Sequence, residues 1–162
     1  MASRRQFSLG VVTAGTIVIA GCSAISSGGP SGPEDAVETF FTADGDADTQ
    51  NEILHPEAGA YPLEENEFGG IPDEIIIEIN QVSTREVAEL RIEQGGESVD
   101  DVDEGEIEAE VERLEQRREG QIEEMGAEDY AWVFLTLEDD DGRDVAVIET
   151  VQDDGDWYML FE

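Results

Sequence analysis

Two residues are single of their kind and reactive by type, Cys22 and His55. A nucleophile–histidine relay needs a nucleophile, a base and a group that orients the base, and no second histidine or thiol is present to assemble one. His55 stands before Pro56 in what reads as a helix-ending loop, where capping or packing is the commoner role. The many carboxylates invite a metal reading, but the calcium-loop pattern needs acidic or amide ligands at alternate positions before its glycine. Asp139-Asp140-Asp141-Gly142 fails it, with Leu137 at the first ligand position, and Asp153-Asp154-Gly155-Asp156 fails it too. No metal, cofactor or catalytic residue is expected, and the chain is read as not an enzyme. The remaining candidates are aromatic: Tyr130, Trp132, Phe134, Trp157 and Tyr158, with Phe161. They either line a cavity closed by the N-terminal helix, the default kind of ligand site, or fill the core between sheet and helices.

These groups have to be carried somewhere, and the N-terminus supplies an address. Arg4 and Arg5 precede Phe7, and an uncharged stretch from Leu9 to Ala20 follows. A positive start, a short apolar stretch and small residues before a cut mark a secretory signal. At about a dozen residues the stretch is shorter than the ~20 a membrane-spanning helix needs. It ends at Ile19-Ala20-Gly21-Cys22, and with Arg4-Arg5 this resembles the signal of twin-arginine lipoproteins of haloarchaea. The resemblance implies export of a folded chain through Arg4 and Arg5, cleavage before Cys22, and a diacylglyceryl group on its thiol. Two acyl chains suffice for stable anchoring, so a membrane partner through Cys22 and a place on the outer face of the cell membrane are expected. The segments are then a signal at 1–21, a lipidated, Gly/Ser-rich flexible tether at 22–33 and one domain at 34–162.

Composition points to concentrated salt. The chain holds 42 acidic residues against 8 basic ones, a formal charge of −34, and has no lysine. Arg4 and Arg5 are two of the eight, which leaves six arginines for the rest. Such self-repulsion opposes a compact state at ordinary ionic strength, whereas at 1 M salt the Debye length falls to about 3 Å. High net charge also marks disordered chains, but two tryptophans, three tyrosines and six phenylalanines in periodic apolar segments point to a halophilic folded domain. Without a basic patch the chain is not a nucleic-acid binder.

The elements follow from period and punctuation. Pro33 to Ala43 reads as a helix with an apolar stripe of Ala36, Val37, Phe40 and Phe41, broken by Asp44-Gly45-Asp46. A short helix over Asp48 to Leu54 precedes an irregular stretch at 57–73, which Tyr61, Leu63 and Phe68 should tack to the core. Ile75 to Ile79 reads as a strand. Ser83-Thr84-Arg85-Glu86 is a capping box starting a helix through Leu90. Between Asp103 and Met125 a strand-like alternation of glutamates competes with a helical face of Ile107, Val111, Leu114, Ile122 and Met125, interrupted at Arg118; length and helix formers favour the helix. Tyr130 to Leu137, Val145 to Val151 and Trp157 to Phe161, joined by Asp-Gly turns, read as hairpin-linked strands. The fold class is α+β, with N-terminal helices packed on a curved antiparallel sheet ending in a three-strand meander.

This order is similar to the cone-shaped, nuclear-transport-factor-2-like (NTF2-like, SnoaL-like) superfamily. The resemblance rests on Glu34-Asp35-Ala36-Val37-Glu38-Thr39-Phe40-Phe41, on Gly45-Asp46-Ala47-Asp48, on Ile53-Leu54-His55-Pro56-Glu57 and on the closing Asp154-Gly155-Asp156-Trp157-Tyr158. It spans about residues 33–162, and the long acidic 97–126 segment departs from the pattern. The superfamily holds enzymes, binding modules and accessory domains, so fold alone does not assign a role. Three roles stay open: a non-catalytic surface module binding a small apolar ligand or an envelope protein, an accessory domain without a ligand, and an isomerase or dehydratase. Oligomeric state is not legible from the sequence.

Overall fold

The computed structural model describes residues 29–65, 67–69, 71–72, 75–139 and 142–161. The signal at 1–21 with Arg4 and Arg5, and Cys22 with the tether to residue 28, lie outside the described residues.

Helix α1 is Pro33–Thr42, with Pro33 in its first turn beside Glu34 and Asp35, where acids favour the helix dipole. Its apolar stripe of Ala36, Val37, Phe40 and Phe41 is buried. The chain breaks where Asp44 (φ 50°) and Gly45 (φ 80°) adopt left-handed conformations, and α2 follows at Ala47–Ile53. In the irregular stretch Leu63 and Phe68 pack on the core as expected, but Tyr61 is 41% exposed and does not.

Strand β1 is Ile76–Val82. Helix α3, Thr84–Gln94, begins at a complete capping box, with the Ser83 side chain accepting from the Glu86 N–H and the Glu86 carboxylate accepting from the Ser83 N–H. It runs a turn past Leu90. The ambiguous acidic segment is helix α4, Glu104–Met125, which buries Ile107 and Leu114 and stops at Gly126 in the left-handed conformation (φ 68°). Strands β2 (Asp129–Asp139), β3 (Gly142–Asp153) and β4 (Asp156–Leu160) complete the chain. Among the described residues the fold is α+β: four α-helices and a four-stranded antiparallel sheet in the order β1-β2-β3-β4.

Register assigns the faces, because side chains alternate across a strand. Ala131, Val133, Leu135, Ile148, Trp157 and Met159 point to the side covered by α1 and α2. Tyr130, Trp132, Phe134, Val147, Val151 and Tyr158 point to the opposite side, where Val87 and Ala88 of α3 and Leu114 of α4 meet them. The sheet therefore has helices on both faces, with one apolar cluster in each interlayer. The chain also joins the fold earlier than the 22–33 tether boundary implies: the Pro30 carbonyl accepts from the Trp157 N–H, and the Ser31 hydroxyl donates to Asp35.

Candidate functional site

The aromatic residues singled out by the sequence do not share one cavity. Trp157 and Phe161 lie on the α1/α2 side, where the Phe161 ring stacks on Phe40 at 5.7 Å. Tyr130, Trp132, Phe134 and Tyr158 lie on the α3/α4 side, away from the N-terminal helix. The Tyr130 and Trp132 rings meet edge to face at 5.0 Å, and both are buried. The Arg91 guanidinium stands 5.9 Å from the centre of the Trp132 ring, within the reach of a cation–π contact. These two aromatics fill core. Alternation along β2 and β4 explains the division: neighbours such as Trp157 and Tyr158 must face opposite ways.

His55 is held by its surroundings. Its backbone N–H donates to the Met159 carbonyl at 3.0 Å, and its Nδ1 accepts from the Glu57 N–H at 3.2 Å. Nε2 lies 3.7 Å from Asp153 Oδ2, and the ring meets Tyr158 edge-on. The imidazole joins the end of α2 to β4 and to the β3–β4 turn, which is a packing role. Among the described residues no group of three or more histidine, cysteine or acidic side chains is placed to hold a metal.

Room for a ligand lies elsewhere, in a cleft of about 520 Å³ between the C-terminal half of α4 and the end of the sheet. Arg117, Gln121, Glu124 and Met125 form its α4 wall, Val147, Glu149 and Leu160 its floor, and Glu57 to Gly59 with Phe161 its rim. Arg117 reaches down to Glu149, Nη2 to Oε1 at 2.9 Å, and the Glu149 side chain is only 15% exposed. Burial, reinforced by the Glu149 carboxylate beside it, holds the Tyr130 phenol well above the ordinary tyrosine range. Farther along the same interlayer, Glu110 takes Arg113 at 2.7 Å and Arg91 at 3.6 Å. Charges this sheltered are sustained by pairing. The cleft thus sets a sheltered Arg117–Glu149 pair beside an apolar floor, with Glu57 and Glu124 also among its lining.

Sequence reasoning missed Arg117, Glu149, Met125 and Leu160. A signal was present: five of the six arginines beyond Arg5 sit on α3 and α4, at positions 85, 91, 113, 117 and 118. In a chain without lysine, three of these arginines mark where carboxylates are drawn under cover, Arg91 and Arg113 at Glu110 and Arg117 at Glu149. Arg85 bridges α3 to α4 by pairing with Glu89 and Glu104, both at 2.8 Å, and Arg118 ties α4 to Asp129 at 3.2 Å.

The fold and the cleft together define an α+β domain, helix-covered on both faces, with an open groove beside α4. Compared with family models, curated proteins and solved structures, the chain matches none.

Proposed function

We propose that the protein is a non-catalytic, lipid-anchored surface module of a halophile, and that the α4 cleft is where it binds. The cleft carries this reading: an apolar floor of Val147 and Leu160 is combined with a sheltered Arg117–Glu149 pair, the mixture of packing surface and few orienting groups expected of a binding site. The occupant is a small, partly apolar ligand or part of an envelope protein. The address rests on Arg4, Arg5 and Cys22. No helix among the described residues is long and apolar enough to cross a membrane, so lipid on Cys22 is the proposed tie.

An NTF2-like relationship is part of the proposal. It is supported by the order of two helices, a strand, two helices and three strands. The α3–α4 pair on the far face of the sheet is a departure from a simple cone and is also what creates the cleft.

Two experiments test the reading. Cys22→Ser should move the chain from the detergent phase to the aqueous phase; unchanged partitioning removes the anchor. Native mass spectrometry of membrane-extracted material in the wild type and in Met125→Trp should find a bound small molecule or protein lost from the variant, in which the larger ring fills the cleft. A bare wild-type chain points to an accessory domain without a ligand.

A further inference from the structure

The helices on the far face of the sheet carry much charge and little apolar anchorage. Residues 84–125, which comprise α3, α4 and the turns between them, hold sixteen acidic residues and five arginines. The rest of the domain, from Pro33 on, holds twenty-six acidic residues against one arginine, Arg143. Like charge therefore faces like charge across the interlayer. Opposing it, α3 buries two of its 11 residues, Val87 and Ala88, and α4 two of its 22, Ile107 and Leu114. Helix α1 buries five of its 10. Segments with few buried apolar contacts are the first to open locally.

The ion pairs and the joints make these helices one moving unit. Arg85 and Arg91 cross from α3 to α4, at Glu104 and Glu110, and Arg113 also takes Glu110. Arg117 and Arg118 reach the sheet, at Glu149 and Asp129. The Arg118 pair is exposed and contributes little, while Arg117–Glu149 is the sheltered latch. Helix α3 follows β1 after Ser83, and α4 reaches β2 through residues 126–128. Val82 stands opposite Trp132, three residues from the start of β2, so both joints lie at the same end of the β1–β2 pair. We propose that residues 84–125 are a salt-dependent lid. Screening holds it on the sheet in molar salt, and dilution lifts α3 and α4 together about these joints. Tyr130, Trp132 and Phe134 are then uncovered while the α1/α2 layer stays packed. The Debye length is about 3 Å at 1 M salt and about 10 Å at 0.1 M, the spacing of packed layers, so repulsion between lid and sheet sets in across that range. Opening also takes the α4 wall away from the cleft, whatever the cleft holds.

The fold places one tryptophan in each layer, Trp132 under the lid and Trp157 on the α1/α2 side. The test uses the lipid-anchored chain in mixed micelles, as wild type and as Trp157→Phe and Trp132→Phe, each of which leaves one reporter. As salt is lowered from molar to about 0.01 M, Trp132 should become open to acrylamide at a salt concentration about twofold or more above that at which Trp157 does. Hydrogen exchange of the wild type, read by mass spectrometry, should quicken in residues 84–125 before residues 33–53; it decides on its own should either variant fail to fold. Glu108→Gln, Glu115→Gln, Glu119→Gln and Glu123→Gln together remove charge at four exposed positions of α4 with helix propensity nearly unchanged. That variant should lower the salt at which Trp132 opens by about twofold or more, with the Trp157 value nearly unmoved. Opening of both layers at one salt concentration, or of the α1/α2 layer first, overturns the lid. Exchange in 84–125 that no dilution quickens overturns it too. An unmoved opening point in the fourfold variant overturns screening as what holds it shut.

Discussion

The two faces of one sheet are covered in different ways. On the α1/α2 face the rings of Phe40, Phe41, Phe68 and Phe161 interlock at 5.3–6.5 Å over Val133, Leu135 and Met159. That layer is held by apolar burial, which molar salt strengthens. On the α3/α4 face a smaller apolar cluster is flanked by Arg91–Glu110 and Arg117–Glu149, and the end of α4 leaves the cleft open. One layer seals the sheet, while the other keeps polar groups and space within reach of solvent, where the proposed function puts recognition.

Substitutions can break or sharpen this contrast. The largest effect is expected at Phe40→Ala, in the middle of the ring cluster, at about 3–5 kcal/mol for a buried phenylalanine, measured by denaturant unfolding in high salt. A loss under 1 kcal/mol would show that the sealed face does not carry the fold. Glu149→Gln removes the charge of a sheltered carboxylate that Arg117 engages and should cost about 1–3 kcal/mol. It should also bring the Tyr130 phenol down, because the neighbouring negative charge is removed while burial remains. In the wild type a phenol raised in the folded state makes its full contribution below about pH 10. That contribution is lost progressively above it, as the unfolded chain ionises first. Spectrophotometric titration beside alkaline unfolding checks both signs. Gly126→Ala should cost about 1 kcal/mol, since the φ of 68° that ends α4 suits glycine. Its effect should appear as faster hydrogen exchange in the last turn of α4, with the α1/α2 layer unchanged.

Much of the fold was legible because its signals are local. The Phe40/Phe41 stripe, the reciprocal cap at Ser83 and Glu86 and the Asp154-Gly155 turn each act over a few residues, and each is where its chemistry places it. The alternation of glutamates from Glu104 to Glu112 looked like a strand because acids crowd the exposed positions of this chain whatever the element beneath; Ile107 and Leu114, both buried, reveal the helix. The cleft was not legible, because it depends on how α4 crosses the sheet and on where β4 ends relative to β3. The aromatics drew attention by type, yet type does not say which face of a strand a residue occupies. Trp157 and Tyr158, adjacent in sequence, are separated by the sheet.

The central claim is that one face is full and the other has room, and a matched pair of enlargements tests it most directly. Ala36→Trp places an indole at a fully buried position of α1, and Met125→Trp places one in the wall of the cleft. Thermal unfolding in molar salt should put Ala36→Trp at least about 1–3 kcal/mol below the wild type, the usual cost of overpacking, with Met125→Trp within about 0.5 kcal/mol of it. Equal losses in the two variants would mean that α4 packs as closely as α1 and that the cleft is not a site.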